Sequence, residues 1–345
     1  MSFDEPAWWY GPKEAARVRL LAPLSRIWQK VAERRWRRAT PYQSARPVIC
    51  IGNFTAGGTG KTPLTASICD VLRQLGKTPI VLTRGYGGKI SGPHWVDPRR
   101  DTARDVGDEP LWHAERGPVV IARNRAEGAA FIEARDAASD VIVMDDGLQN
   151  PTLAKDLTIA VVDARRGLGN GHVMPAGPLR AELEFQLGLV DAIVVVGAAG
   201  APRSLDTVGE ALRGRFDGPV LDASVVPVGP LDWLTQSPLV AWAGIANPRR
   251  FFDLLAANGA TVAREISFPD HHMPSAAQAA SLLHEARLHQ AMLVTTRKDA
   301  VRVRGAPGDV GALGAASRTI DIGLTFADRD GERLTALLAR ALRER

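Results

Sequence analysis

A glycine-rich segment directly after an apolar strand constrains this fold more than any other feature of the chain. Residues 55–62 read Thr-Ala-Gly-Gly-Thr-Gly-Lys-Thr and follow the apolar run Val48–Ile51. Glycines let backbone N–H groups turn toward phosphate oxygens, and the helix that follows offers the positive end of its dipole. In such a loop Lys61 reaches the terminal phosphates and the Thr62 hydroxyl ligates Mg²⁺. The segment therefore predicts a phosphate-binding loop, here called the P-loop, although Thr55 replaces the usual first glycine.

Strand and helix patterns alternate from residue 47 onward. The apolar runs predicted as strands are Val48–Ile51, Pro79–Leu82, Val119–Ala122, Val141–Met144, Leu157–Val162, Ala192–Val196, Leu239–Ala243, Thr261–Ile266 and Met292–Thr295. Helices are predicted over Pro63–Leu75, Arg125–Ala137, Pro248–Asn258 and Ser275–Leu288. Continuous apolar strands that alternate with helices indicate a parallel sheet covered on both faces. The expected class is α/β, with a P-loop NTPase-like parallel sheet and a second, smaller α/β domain.

These patterns divide the chain into four segments. We predict a basic amphipathic N-terminal arm over residues 1–45, a P-loop core over 46–221, a linker over 222–237 and a smaller C-terminal α/β domain over 238–345. The linker is expected because the pattern there is loose and rich in Gly and Pro. A cleft between two such domains is a common place for catalysis.

The positive charge of the chain is concentrated near its N-terminus. Residues 1–50 hold 10 of the 43 Lys and Arg residues but only 4 of the 38 Asp and Glu residues. The rest is close to neutral, which argues against a nucleic-acid-binding protein. Cys50 and Cys69 form no metal-binding spacing and favour a reducing compartment. No secretory signal is evident, and no apolar run approaches the ~20 residues of a membrane-spanning helix.

The N-terminal arm combines an apolar helical face with basic residues. Apolar side chains at helical spacing are Leu20, Leu24, Ile27, Trp28 and Val31. The basic residues around them are Arg26, Lys30, Arg34, Arg35, Arg37 and Arg38. Such a helix, expected to begin at Pro23, can lie in an anionic membrane surface. The alternative is a helix docked on its own protein with a solvated basic face, and the membrane surface is favoured.

Acidic residues beyond the P-loop stand at positions suited to metal binding. The strand Val141–Met144 runs into Asp145 and Asp146, and a carboxylate at a strand end beside a phosphate loop commonly holds Mg²⁺. Asp145 is the favoured ligand, while Asp146 could share the metal or orient the nucleophile. Asp108 and Glu109 form a second acidic pair, for which a simple helix N-terminus is the favoured explanation on these residues alone.

Two further segments carry possible substrate chemistry. His271 and His272 are adjacent in a loop, where histidine can assist proton transfer but more often has no such role. The segment Gly167–Arg180 is rich in Gly and Pro and predicts a long shaped loop, a common place for substrate contacts. In it, Arg180 or Arg165 could bind a phosphate through two parallel hydrogen bonds.

Taken together, these motifs resemble the tetraacyldisaccharide 4′-kinase family, the lipid A 4′-kinases. The resemblance spans nearly the whole chain and rests on Gly52–Pro63, Arg84–Gly88, Gly107–Pro110, Asp145–Gln149, Pro175–Arg180, Asp270–His271 and Lys298–Ala300. The family implies phosphorylation of the 4′-hydroxyl of a tetraacyldisaccharide 1-phosphate, dependent on ATP and Mg²⁺, in lipid A biosynthesis. It also implies a peripheral enzyme on the cytoplasmic face of the bacterial inner membrane. Its partners would be an acylated glucosamine disaccharide 1-phosphate and, through the arm, the anionic membrane surface, with no nucleic acid and no obligate protein partner.

The same resemblance implies roles for individual residues. The catalytic residues it implies are Asp108 as general base, His271 as its assistant, and Lys61 and Arg125 to neutralise phosphate charge. The ATP phosphates are expected around Thr55, Ala56, Gly57, Gly58, Thr59, Gly60, Lys61 and Thr62. The metal is expected near Thr62, Glu109, Asp145 and Asp146, and the substrate near Tyr86, Asn170 and Arg180. Many members place Glu directly after Arg180, whereas this chain has Ala181 and then Glu182, so that sugar contact is open.

Two other classes of function fit the P-loop less well. A partition- or septum-site-type ATPase, a switch that binds partners on a membrane surface, has a similar loop. Those proteins carry a signature lysine directly before the two glycines, where this chain has Ala56. A nucleotide-binding module without catalysis is disfavoured because the Asp108 and His271 motifs lie outside the loop. The motifs therefore favour the kinase.

Overall fold

A mixed sheet of twelve strands runs through the computed structural model of the protein, which describes residues 6–11, 15–198, 207–327 and 329–343. The strands are β1 (Val48–Asn53), β2 (Pro79–Thr83), β3 (His94–Trp95), β4 (Val119–Ile121), β5 (Val141–Asp145), β6 (Leu157–Asp163), β7 (Ala192–Ala198), β8 (Val220–Val228), β9 (Leu239–Ala243), β10 (Val262–Ser267), β11 (Met292–Thr296) and β12 (Ser317–Phe326). The helices are α1 (Ala15–Arg38), α2 (Lys61–Gln74), α3 (Ala103–Val106), α4 (Asp108–Ala114), α5 (Arg125–Arg135), α6 (Leu183–Leu187), α7 (Thr207–Arg213), α8 (Pro248–Ala257), α9 (Ala276–Leu288), α10 (Arg297–Val303), α11 (Gly308–Ala316) and α12 (Asp330–Arg343).

The strand order places the P-loop in the middle of a parallel region. The order is β10-β9-β11-β12-β8-β7-β6-β1-β5-β2-β4-β3. Strand β1 lies between β5 and β6 and is parallel to both. The segments that follow β1, β2, β5 and β6 therefore meet at one edge of the sheet, where ligands bind in folds of this type. The expected α/β class is confirmed, with two antiparallel pairings, β12 with β8 and β3 with β4.

The sheet can be described in two parts that meet at β8 and β12. We call strands β1 to β8 with helices α1 to α7 the P-loop part, and strands β9 to β12 with helices α8 to α12 the C-terminal part; the loops between these elements belong to the part that they connect. Strand β8 covers residues 222–228 of the segment 222–237 that was predicted as a linker, so the prediction of a loose connection is corrected for these residues. Alternating buried side chains (Leu221, Ala223 and Val225) and pairing with both β7 and β12 hold this segment in the sheet despite its Gly and Pro residues. The division into separate domains stays a prediction.

Apolar clusters cover both faces of the sheet. On one face α2 packs Leu64, Ile68 and Leu72 against β1 and β5, and the C-terminal helix α12 adds Leu334 to the same cluster. On the other face, α5 packs Ile132 against Val48 and its neighbours. Because the central strands are buried on both sides, their positions are fixed by packing, and the loops at their ends are held in place.

The N-terminal arm is a docked helix and begins earlier than expected. Helix α1 continues through Pro23, where the sequence predicted its start. The Ser25 hydroxyl donates to the Val173 carbonyl at 2.8 Å, and Gln29 accepts from the Glu182 backbone N–H at 2.7 Å. Residues 1–5 and 12–14 of the arm and 199–206 of the predicted core lie outside the described residues. In the described part of the chain, no helix combines the length and apolar character needed to cross a bilayer.

Candidate active site

A cavity of about 780 Å³ opens where the P-loop meets α1 and the C-terminal part. Residues 56–62 of the P-loop line its floor, and Trp28, Trp36 and Phe185 form an apolar wall beside them. Across the cavity, the C-terminal part contributes Asp270, His271 and Lys298. Most of the motifs singled out in the sequence are therefore brought to one space, although they are separated by more than 200 residues along the chain.

Backbone geometry, together with one amide side chain, shapes the P-loop. Gly57 and Gly60 have φ values of 91° and 99°, a region that side-chain-bearing residues rarely occupy. The Asn53 amide donates to the Thr59 hydroxyl at 3.0 Å. Gly60 directly precedes α2, so the first N–H groups of that helix point toward the cavity. The loop is thus arranged to bind an anion before any side chain acts.

Lys61, Asp146 and Arg180 form a charged group above the P-loop. Lys61 Nζ lies 3.7 Å from Asp146 Oδ1, and Arg180 donates to the same oxygen at 2.8 Å and to the Thr55 carbonyl at 3.1 Å. Partial burial acts to raise the pKa of Asp146, but Arg180 and Lys61 hold that pKa well below its usual range. Arg180, expected on the substrate side, is thus tied to the P-loop and to the strand-end carboxylate.

The two consecutive aspartates have different surroundings. Asp145 is buried and accepts from the Thr65 hydroxyl at 3.1 Å, while the His113 ring lies 3.4 Å from its other oxygen. Asp146 has a φ of 52° and lines the cavity. Its left-handed backbone is an arrangement that non-glycine residues adopt rarely, and often at functional sites. Of the two, Asp146 is the carboxylate that faces the cavity, and Asp145 lies behind it.

Asp108 and His271 meet across the boundary between the two parts. His271 Nδ1 lies 2.9 Å and 3.1 Å from the two carboxylate oxygens of Asp108. Gly107 adopts a φ of 93°, and a side chain there would overlap the Tyr86 carbonyl, so this glycine lets α4 begin at Asp108. The Tyr86 ring packs on the His271 ring with centroids 5.4 Å apart. His271 lines the cavity, whereas Asp108 is 3% exposed and lies behind it.

A buried cation network surrounds this pair. Lys298 Nζ lies 3.1 Å from Glu109 and 3.9 Å from Asp270. Burial acts to raise the pKa of Asp108, but Lys298, the hydrogen bond from His271 and Arg302 together hold that pKa well below its usual range. The pKa of Lys298 is raised, because its carboxylate neighbours outweigh the effect of burial. Asp108 is therefore ionised and Lys298 protonated at neutral pH.

Not every predicted site residue lies in the cavity. Arg125 is buried behind Asp145 and donates to the Ala122 carbonyl at 2.6 Å. Asn170 is buried in the loop 167–180, where its amide donates to the Ala176 carbonyl at 2.9 Å. The backbone N–H of Glu182 donates to Gln29 of α1, and Glu182 does not line the cavity. Tyr86 and Arg180 do line the cavity.

Three functional candidates were missed by the sequence reasoning. Gln149 and Lys298 line the cavity and belong to motifs that had been quoted without assigning them a role. Arg302, buried beside Asp108, follows the Lys298–Ala300 motif by two residues. Nothing in the sequence distinguishes it from an exposed arginine on a short helix.

The residues present fit a Mg²⁺ ion that is held largely by nucleotide phosphates. Thr62, Glu109 and Asp146 line the cavity beside the P-loop. Mg²⁺ commonly takes one or two carboxylates and completes its shell with phosphate and water. Among the residues with described positions, no cluster of three or more His, Cys, Asp or Glu side chains could hold a metal. The nucleotide would therefore supply the remaining ligands.

Comparisons with known proteins agree on one family. The family model for tetraacyldisaccharide-1-P 4′-kinase matches residues 17–342. The tetraacyldisaccharide 4′-kinase of Bradyrhizobium sp. strain BTAi1 is 47% identical over 305 residues, covering 87% of this chain and 85% of that protein. Its counterpart from Nitrobacter hamburgensis is 45% identical over 342 residues, covering 98% and 99%. A crystal structure of LpxK from Aquifex aeolicus in complex with ATP covers 94% of this chain and 99% of its own, with a TM-score of 0.72. At 23% identity, that last match supports the fold alone.

Proposed function

The chain belongs to the tetraacyldisaccharide-1-phosphate 4′-kinase family, and from that premise we propose how its cavity carries out the reaction. The protein is an ATP-dependent phosphotransferase that acts on the 4′-hydroxyl of the lipid A disaccharide 1-phosphate. One observation supports the assignment of the reaction to this cavity: the P-loop and His271 line the same space.

The P-loop side holds the phosphoryl donor. Phosphoryl transfer proceeds through a loose transition state and depends mainly on position and charge neutralisation. Backbone N–H groups of the P-loop and the start of α2 bind the phosphates, and Lys61 reaches the terminal ones. A Mg²⁺ ion held beside Thr62, Glu109 and Asp146 would supply further charge neutralisation. Arg180 keeps Asp146 and the P-loop in register with one another.

The Asp108–His271 pair receives the proton of the 4′-hydroxyl. The carboxylate of Asp108 accepts from His271 Nδ1–H and fixes the ring, while Nε2, which lies 3.6 Å from Asp270 Oδ2, is the nitrogen left to receive the proton. A carboxylate that orients an imidazole in this way is a common arrangement for proton transfer. Asp108 remains the predicted general base, and the geometry supports its action through His271, because the carboxylate itself does not line the cavity.

Close packing of the two parts supports exclusion of water from the transfer. A Cβ atom at Gly58 would lie 3.0 Å from the Cβ of Ala246, tighter than most contacts in proteins. The C-terminal part therefore lies directly over the P-loop. A covered site limits the hydrolysis of ATP by water and strengthens the charge interactions inside it.

A radiolabel assay tests the proposed reaction. The protein is incubated with γ-labelled ATP and tetraacyldisaccharide 1-phosphate, with and without Mg²⁺, and with a 4′-deoxy analogue as control. Label is expected on the lipid only when Mg²⁺ and the 4′-hydroxyl are both present. Label released only as inorganic phosphate, equally with both lipids, would contradict the kinase and indicate an ATPase.

We further propose that α1 lies in the membrane surface at the cytoplasmic face. Its polarity is reversed for a docked helix: polar Ser25 and Gln29 are buried against the protein, while apolar side chains face outward. Those exposed side chains form one stripe: Leu20, Leu24, Ile27, Trp28 and Val31. Exposed apolar stripes flanked by Arg and Lys are typical of helices that lie in anionic lipid surfaces. The apolar wall of the cavity begins on this helix, so acyl chains of a bilayer-resident substrate could enter beside it.

Vesicle flotation tests the membrane proposal. We compare the wild type with Leu24→Glu/Ile27→Glu, which alters exposed side chains that do not line the cavity. Leu288→Glu, an equally exposed apolar residue on α9, is the matched control. The double variant is expected to lose binding to vesicles containing phosphatidylglycerol while the control keeps it. Equal flotation of all three proteins would reject α1 as the anchor.

A further inference from the structure

Arg302 is a buried arginine, and each of its three guanidinium nitrogens donates a hydrogen bond. It lies on α10 and is 6% exposed. Nε donates to Asp108 Oδ2 at 3.2 Å, and Nη2 donates to the same carboxylate. Nη1 donates to Asp299 at 2.5 Å and to the carbonyls of Gly244 and His272, each at 3.1 Å. The buried guanidinium is thus paired with two buried carboxylates, and such pairing is the condition under which a buried charge is tolerated.

These contacts hold both members of the proton-transfer pair. Asp108 Oδ2, which Arg302 binds, is also the oxygen 2.9 Å from His271 Nδ1. The Gly244 carbonyl, which Arg302 also binds, accepts the backbone N–H of His271 at 3.1 Å. Arg302 therefore contacts the carboxylate that orients the imidazole and two carbonyls next to His271: that of Gly244, which accepts the His271 N–H, and that of His272.

The surroundings of Arg302 leave little freedom for this arrangement. A Cβ atom at Gly244 would lie 3.1 Å from both Arg302 Nη1 and Asp299 Oδ1. Asp299 in turn accepts the Gly244 backbone N–H at 3.1 Å and is fully buried. His271 has a φ of 59°, an unfavourable backbone conformation that persists only where the surroundings impose it. The contacts of Arg302 with the Gly244 and His272 carbonyls are part of what imposes it.

We propose that Arg302 is a positioning residue for phosphoryl transfer: it aligns Asp108 of the P-loop part with His271 of the C-terminal part. The proposal rests on the proposed function of the Asp108–His271 pair. Arg302 does not line the cavity, so it acts through that pair and not on the substrate. Arginine suits the position because its planar fork binds a carboxylate and two carbonyls at fixed angles, which a lysine ammonium cannot match.

A double-mutant cycle tests whether Arg302 acts through Asp108. The variants are Arg302→Met, Asp108→Asn and the combination, with Arg302→Lys as the conservative change. Arg304→Met is the matched control, because it breaks a contact between the residues that directly follow α10 and α4, Arg304 and Glu115, away from the pair. We expect Arg302→Met to lower kcat about 10- to 100-fold, the scale of losing alignment at a reacting group, with little change in either KM. Arg302→Lys should recover part of the loss, and Arg304→Met should match the wild type.

The cycle separates positioning from general structural damage. In the Asp108→Asn background, Arg302→Met should cause little further loss, because residues that act as a unit are not additive. An equal loss in both backgrounds, a wild-type kcat in Arg302→Met, or a change confined to the KM for ATP would overturn the proposal. If Arg302→Met does not melt cooperatively, Arg302→Lys takes its place in the cycle, with the same expectations at reduced size.

A spectroscopic measurement separates this proposal from the proposed function. The side-chain ¹⁵N signals of the seven histidines are recorded for the full chain, and His271→Gln identifies the signal of His271. We expect the Nδ1 signal of His271 to move in Arg302→Met and to stay in place in Arg304→Met. An unmoved signal would reject the positioning role even in an active kinase. If the wild type transfers no phosphate to the lipid, the proposed function fails, and the signal still tests the alignment.

Discussion

The phosphate-binding region and the proton-transfer region of this cavity are built in opposite ways. The P-loop is a continuous run of residues in one part of the sheet, shaped mostly by backbone groups and a helix start. The Asp108–His271–Arg302 group joins side chains from both parts that lie far apart in the sequence. Asp146 on the P-loop side has a side chain 35% exposed to the cavity, whereas that of Asp108 is 3% exposed and enclosed by cations.

This difference indicates a functional division between the two regions: one binds phosphate and the other transfers the proton. Backbone donors at a helix start are positioned whenever the local strand and helix are folded, so the P-loop can bind phosphate without the C-terminal part. The proton-transfer group exists only where the two parts are in contact. Nucleotide binding and phosphoryl transfer should therefore be separable by mutation.

Asp108→Ala should produce the largest effect and separates the two regions most directly. Turnover is expected to fall by at least ~10², the usual scale for removing a general base or its partner. ATP binding should persist, because Asp108 does not line the cavity. Transfer of label to lipid measures turnover, and titration with a fluorescent ATP analogue measures binding. Asp105→Ala, an acid on the neighbouring α3, should keep wild-type turnover, and an Asp108→Ala variant that does so too would end the assignment.

The same division explains what the sequence could and could not predict. The P-loop, β1 and β5 were predicted because their signals are local: an apolar run, glycines and a lysine in fixed order. The contact between Asp108 and His271 followed only from resemblance to a family, since no local rule pairs residues in different parts. Arg302 was missed because burial of a charge depends on partners that only the folded chain brings near.

Local signals also failed where tertiary contacts override them. Residues 222–228 read as a linker because their segment is rich in Gly and Pro, yet pairing with β7 and β12 makes them a strand. Helix α1 continues through Pro23, and contacts of Ser25 and Gln29 with Val173 and Glu182 dock the turns that follow the proline. The sequence also predicted a membrane-facing or docked arm as alternatives, while the described helix has a docked side and an exposed apolar side.

Arg180→Lys tests whether the P-loop side of the cavity acts on ATP binding alone. Arg180 binds the Thr55 carbonyl and Asp146 with separate nitrogens, which a lysine cannot do together. The KM for ATP should rise roughly tenfold, the scale of one charged hydrogen bond, while the KM for the lipid stays nearly constant. Steady-state kinetics with each substrate varied in turn measures both values. Arg165→Lys is the control, because its guanidinium binds Asp253 away from the cavity. A rise in the lipid KM alone would place Arg180 on the substrate side.

The pH dependence of stability should distinguish the two carboxylates. Asp108 and Asp146 both have a pKa held below its usual range, so each contributes stability above the unfolded value of ~3.9 and loses it as pH falls toward the folded value. Asp108→Asn breaks a buried network and should cost up to about 3–5 kcal/mol at pH 7. Asp146→Asn alters a partly exposed pair and should cost at most about 1 kcal/mol. Thermal melts from pH 7 to pH 3 should show that the difference in unfolding free energy between the wild type and each variant becomes smaller below about pH 4. An equal loss of unfolding free energy in the two variants at pH 7 would contradict the difference in burial between Asp108 and Asp146.

The smallest effect is expected in the labelling rates of Cys50 and Cys69, which flank the P-loop. These rates report whether the P-loop part stays folded when its contact with the C-terminal part is weakened. Burial raises the pKa of the Cys50 thiol to about 11 and that of Cys69 to about 12. At pH 8, only about 0.1% of a thiol with a pKa of 11 is thiolate, the reactive form. Both should react with a thiol reagent only when the P-loop part unfolds. Asp108→Asn loosens the contact with the C-terminal part but leaves these thiols in the P-loop core, so it should label no faster than Asp146→Asn. Faster labelling in Asp108→Asn alone would mean that the P-loop part depends on its partner, and the two regions would no longer be separable.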